Sequence, residues 1–110
     1  MPSYLIQVAY SSEGLAAIIK NPQDRTEAVR KPIEKLGGKL LSAWFTFGDY
    51  DVAVILEMPD NVSAAAMALA FGGGGALRSV KTTPLLSPAE ALEALKKAGT
   101  TGYKPATAKK

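Results

Sequence analysis

Asp49, Tyr50 and Asp51 stand in a row, two carboxylates on either side of a phenol. Such a group serves as general acid and base where burial drives the carboxyl pKa values apart. The same three residues also have a structural reading. Gly48-Asp49 is hairpin-turn chemistry, Tyr50 packs as the aromatic that opens a strand, and Asp51 accepts hydrogen bonds from backbone or tyrosine. The structural reading is the simpler one; in a middle reading the cluster lines a ligand pocket. Arg78 precedes Lys81 by three residues on an expected strand, so alternation sends the two to opposite faces. An inward Arg78 holds a carboxylate or phosphate through two hydrogen bonds, whereas an outward one is a solvated edge charge. Asp49, Tyr50, Asp51 and Arg78 are therefore the candidate ligand-binding residues, and no catalytic residue is assigned. Gly72–Gly75 suggests a phosphate cradle, but it follows a helix and so meets its negative end, and it lacks the Gly-Lys-Ser/Thr ending.

Those side chains must be held by a small scaffold. The chain has 110 residues, enough for one domain, and its 47% apolar and 21% charged content is that of a globular core. It contains no His and no Cys, which removes thiolate nucleophiles, His-based triads, and the usual zinc, iron–sulfur and haem ligand sets. No cofactor and no metal are expected. The net charge of +3 invites a nucleic-acid reading, yet residues 1–99 balance ten basic side chains against ten acidic ones. The surplus is Lys104, Lys109 and Lys110, in a segment without apolar periodicity. A folded domain over 1–99 and a disordered basic tail over 100–110 follow. Three scattered lysines are few beside the roughly 6–10 phosphate contacts of a strong nucleic-acid binder, so no nucleic-acid partner is expected. No apolar run approaches the ~18–20 residues that span a bilayer, so no membrane partner is expected either, and a cytoplasmic location is the default.

Tyr4–Tyr10 reads as a strand. Ser12 caps a short helix, and Asn21-Pro22, with Asp24 three residues after the cap, starts a second one that runs to Gly37-Gly38. Pro32 interrupts this second helix without a reason visible in the sequence. Lys39–Phe47 alternates with Leu41, Ala43, Phe45 and Phe47 on one side and Leu40, Ser42, Trp44 and Thr46 on the other. A turn at Gly48-Asp49 leads into Tyr50–Met58, apolar on both faces. A helix capped by Asp60 or Asn61 runs to the glycines, Ala76–Leu86 is a fourth strand with Pro84 marking an edge, and Ser87-Pro88 with Glu90 caps a last helix that ends at Gly99. The order is that of an α+β, ferredoxin-like βαββαβ fold with a four-stranded antiparallel sheet, a split first helix and an extra C-terminal helix.

A sheet of this kind carries helices on one face only, yet apolar residues occupy both faces of its strands. The second face is therefore expected to be covered by further subunits, in a dimer or higher homo-oligomer, with Tyr4, Ile6, Val8, Leu40, Trp44, Val52 and Val54 as interface candidates; Trp44 reads alternatively as the wall of a ligand cavity. The alternative is that residues 88–98 fold back over their own sheet.

Three blocks carry a resemblance to a known family: Leu36–Leu40 (LGGKL), Phe47–Asp60 (FGDYDVAVILEMPD) and Arg78–Leu85 (RSVKTTPL). The chain resembles the GYD domain family over roughly residues 3–95, the motif being Gly48, Tyr50 and Asp51. The resemblance implies a ferredoxin-like domain similar to the dimeric α+β barrels and implies no reaction. Pro32 and Gly72–Gly75 depart from the pattern. The expected function is that of a homo-oligomeric domain binding a small-molecule ligand or a protein partner at or near its sheet interface. The alternatives are a cofactor-independent enzyme of the dimeric α+β barrel type, working through Asp49, Asp51 or Tyr50 on a small organic substrate, and a ring-forming sensor or scaffold.

Overall fold

A computed structural model of the chain describes residues 1–106. The elements are β1 (Ser3–Tyr10), α1 (Ser12–Lys20), α2 (Thr26–Lys35), β2 (Lys39–Phe45), β3 (Val52–Glu57), α3 (Asn61–Gly73), β4 (Leu77–Leu85) and α4 (Pro88–Ala98). Four strands make one antiparallel sheet in the order β2-β3-β1-β4. With α1 and α2 connecting β1 to β2 and α3 connecting β3 to β4, this is a ferredoxin-like α+β fold with α4 added. Pro84 lies on β4, an edge strand, where its missing N–H breaks no ladder bond.

Strand register decides what faces the helices. Cross-strand rows Tyr4–Leu56–Leu40, Ile6–Val54–Ala43 and Val8–Val52–Phe45 share one face. The core lies on that side, where Tyr4, Ile6, Val8, Leu40, Val54 and Leu56 close on Ile33 of α2 and on Ala64 and Met67 of α3. The opposite, open face carries the rows Leu5–Ile55–Ser42 and Gln7–Ala53–Trp44.

The seven interface candidates are thereby divided. Tyr4, Ile6, Val8, Leu40 and Val54 are buried in the chain's own core, and half-buried Val52 packs against it. They face the helices of their own subunit and are not free for a second one. Only Trp44, 64% exposed, lies on the open face. The reason is a β-bulge: Leu40 pairs with Leu56 and Ser42 with Ile55, leaving Leu41 between them unpaired. That extra residue puts Leu40 and Trp44 on opposite faces, where strict alternation put them together.

Local chemistry sets the helix ends. Ser11, one residue before the expected cap, accepts the Gly14 N–H at 3.0 Å and starts α1. Asn21-Pro22 does not start α2. Asp24 instead accepts both the N–H and the hydroxyl of Thr26, a local turn that competes with the helix and delays it to Thr26. Residues 21–25 are thus a linker. Pro32 stands inside α2 and has no N–H for the Ala28 carbonyl, yet the helix runs on to Lys35. Asp60 caps α3 by accepting the Ser63 N–H at 2.8 Å. Ser87 and Glu90 exchange hydrogen bonds of 3.1 and 2.9 Å in a capping box at the start of α4.

α4 does not fold back over the sheet. None of its residues is buried, and Leu92 and Leu95 are 54% and 69% exposed. The radius of gyration, 17.7 Å, exceeds the ~13 Å expected for a compact chain of this length. Residues 100–106 are exposed and form neither helix nor strand; the rest of the expected basic tail, with Lys109 and Lys110, lies outside the described residues. No helix among the described residues is long and apolar enough to cross a membrane.

Candidate functional site

Between the helix-bearing face of the sheet and the three helices above it lies a cleft of about 730 Å³. Its floor is the sheet, with Ile6, Val8, Val52 and Val54 at the centre and Tyr10, Phe45 and Leu77 toward the ends of their strands. Ala17 and Ile18 of α1, Val29 and Pro32 of α2, and Met67 and Phe71 of α3 form the walls. The linker between α1 and α2 supplies the polar rim: Asn21, Gln23, Asp24 and Arg25.

The cleft exists because small residues stand where a filled core needs large ones. Ala17, Ala28, Ala43, Ala70, Gly74 and Ala76 all line it. The cleft is partly open to solvent, and its volume falls in the roughly 300–1,000 Å³ range of ligand pockets. α1 is its loosest wall, since Gly14 is the helix's one buried residue. A Cβ at Gly14 would collide with the Ala76 carbonyl, so glycine there lets the start of α1 cross the start of β4 closely.

Tyr10 and Arg25 are the polar groups that matter most at the rim. Tyr10 ends β1 on the helix-facing side, paired with Leu77. Burial pushes its phenol pKa up; the positive charge of Arg25 pulls it down, and the carboxylate of Asp51 pushes it up again. Arg25 precedes α2 and makes no ion pair or side-chain hydrogen bond among the described residues. Beside it, hydrogen bonds from the Thr26 hydroxyl and then the Thr26 N–H hold the Asp24 carboxyl below its usual range. No local pattern signals that Tyr10 and Arg25 share one cleft, since one ends a strand and the other stands in the linker before α2.

The four ligand-binding candidates lie next to the cleft, none of them lining it, whereas Ile6, Val8, Trp44, Val52 and Val54 among the interface candidates do line it. Asp51, just before β3, is tied to the sheet. Its N–H donates to the Val8 carbonyl and its carbonyl accepts from the Thr46 N–H, both at 2.8 Å, while its carboxylate accepts the Tyr10 N–H at 2.8 Å. That last bond falls where the β1–β4 register shifts between Ala9 and Tyr10, so the side chain satisfies an amide beside the irregularity. Tyr50 is half-buried, and its carbonyl accepts the Thr46 hydroxyl at 2.8 Å. Asp49 is exposed, and its carbonyl lies 3.4 Å from Arg78 Nη2. Arg78 is itself a bulge residue, between Ser79, paired with Ala9, and Leu77, paired with Tyr10. The structure thus gathers Asp49, Tyr50, Asp51 and Arg78 around one end of the sheet, where their polar contacts tie the β2–β3 hairpin to β1 and β4. Gly48 turns this hairpin with φ of 125°, a conformation only glycine takes readily.

The run Gly72–Gly75 closes α3, as its position after the helix requires, with Gly74 as the C-cap and Gly75 at φ of 84°. Among the described residues no three His, Cys, Asp or Glu side chains are grouped to hold a metal ion.

A comparison with curated proteins found no match. The model of the GYD domain does match, over residues 4–95, from β1 through the hairpin of Gly48, Tyr50 and Asp51 into α4. With its ferredoxin-like fold and this span, the chain belongs to the GYD domain family.

Proposed function

We propose that this domain is a binder of small organic ligands that assembles as a homo-oligomer through the open face of its sheet. The observation that carries the reading is the cleft of about 730 Å³, apolar on its floor and polar at one rim. Binding is favoured over catalysis by the use of the acidic cluster: Asp51 is committed to the Tyr10 amide, and neither Asp49 nor Asp51 lines the cleft.

Assembly is supported by what the open face and α4 leave uncovered. Leu5, Ala53, Ile55 and Trp44 form an apolar centre, with Lys39, Glu57 and Lys81 around it, the pattern of an apolar patch inside a charged rim. Ala91, Leu92 and Leu95 line one side of α4, a stripe whose leucines stay mostly exposed on their own subunit. A second copy brings both surfaces at once. It covers the sheet centre and offers its own sheet to a projecting α4. Burial of such area contributes about 25 cal/mol per Å².

Native mass spectrometry of gently purified protein tests both parts together. The expected result is a mass of two or more chains carrying a small-molecule adduct. Single chains without adduct contradict the reading.

A further inference from the structure

The cleft has a chemical polarity that narrows what it takes. Its depth is lined by aliphatic and aromatic side chains, among them Ile6, Val29, Val54, Met67 and Phe71. At the linker rim stands Arg25, with no carboxylate paired to it among the described residues; their ion pair is Arg30 with Glu27, on α2 and outside the cleft lining. The Tyr10 phenol lies in the same cleft, close enough to Arg25 to feel its charge. Of the described acidic residues only Asp24 lines this rim, its Oδ1 already taken up by the Thr26 N–H and hydroxyl; the Asp51 carboxylate, outside the lining, is engaged by the Tyr10 N–H.

We infer that the cleft binds an amphipathic monocarboxylate, its hydrocarbon body on the sheet floor and its carboxylate held by Arg25 and the Tyr10 hydroxyl. This rests on the ligand-binding reading above. A guanidinium presents two parallel N–H donors that match the two oxygens of a carboxylate, and a phenol adds a third donor from another direction. An apolar body alone satisfies the floor and leaves Arg25 idle. A dianionic head such as a phosphate monoester places its second charge near Asp24 and meets only one cation, so a single negative charge is the better match. α2 begins at this rim too, and its amino end adds positive potential on the same side.

The test compares three ten-carbon probes, decanoate, decan-1-ol and decyl phosphate, by titration calorimetry at pH 7 below their aggregation limits. Wild-type protein is expected to bind decanoate at least about tenfold more tightly than decanol, the worth of a charge-assisted hydrogen bond. Arg25→Gln, a change at an exposed side chain with no partner to lose, is expected to bring decanoate down to the decanol affinity and to leave decanol unchanged. Tyr10→Phe is expected to reduce the preference by about threefold while the chain stays folded. Equal binding of decanoate and decanol by wild type overturns the inference, as does a preference that survives Arg25→Gln, and the ligand-binding reading stands in both cases. Tighter binding of decyl phosphate than of decanoate overturns the carboxylate assignment. If no probe binds, the cleft is not a ligand site and both readings fall.

Discussion

Replacing Asp51 by alanine removes the acceptor of the Tyr10 N–H and leaves a half-covered amide without a partner. The expected cost is about 1–3 kcal/mol of folding stability, read as a lower urea midpoint with an unchanged slope, and Asp51→Asn, which keeps an oxygen in place, is expected to lose less. If Asp51 served a substrate instead, its loss would leave the midpoint where it was. Gly14→Ala drives a methyl group into the Ala76 carbonyl and is expected to destabilise by about 1–3 kcal/mol on the same assay. At this scale the sequence was half readable. The turn chemistry of Gly48-Asp49 and the backbone-binding role of Asp51 follow from residue type and spacing, and both are found. That Arg78 is a bulge residue at the hairpin, and that Arg25 takes a place at the cleft, depend on pairing register and on the path of a linker, which no local pattern reveals.

The elements themselves were largely legible, because caps and breakers act over three or four residues. Ser87, Pro88 and Glu90 announce α4, Asp60 announces α3, and each makes the expected bond. The failures came where two local signals competed, as at Asn21-Pro22, where Asp24 bonded Thr26 instead of serving the expected helix start. They came also where an extra residue reset alternation, as at Leu41. Caps made by carboxylates carry a pH dependence. Hydrogen bonds from Ser63 to Asp60, and from Ser87 to Glu90, hold these carboxyls below their usual range. A folded-state pKa below the unfolded one contributes stability that is present above the unfolded value and lost as pH falls through the folded one. The urea midpoint is therefore expected to decline as pH drops below about 4, and less steeply in Asp60→Ser, whose hydroxyl caps without titrating. α4 gives a different test. Since its leucines are mostly exposed on the subunit, Leu92→Glu with Leu95→Glu is expected to leave the circular dichroism of the body intact and, on the proposed assembly, to lower the sedimenting mass toward one chain.

For the whole molecule, apolar residues on both faces of β1 and β3 foretold a surface in need of cover, but could not say which face the chain's own helices would take. The helices took the side of Tyr4, Ile6, Val8 and Val54, leaving Leu5, Ile55 and Trp44 outward. On the proposed assembly, Trp44→Glu is expected to lower the sedimenting mass toward one chain, with the fold retained. A pocket was one reading of the sequence, but its lining was not legible, because it is made by what is missing: alanines and glycines on several elements that only the tertiary fold brings around one space. Its use is the central claim, and methyl-resolved NMR during a titration with decanoate tests it most directly. The account predicts that the methyl signals of Ile6, Val29, Val54 and Met67 shift in a saturable way while those of Leu5 and Ile55 on the open face keep their positions. Shifts confined to the open face, or cleft methyls that do not respond, would contradict it.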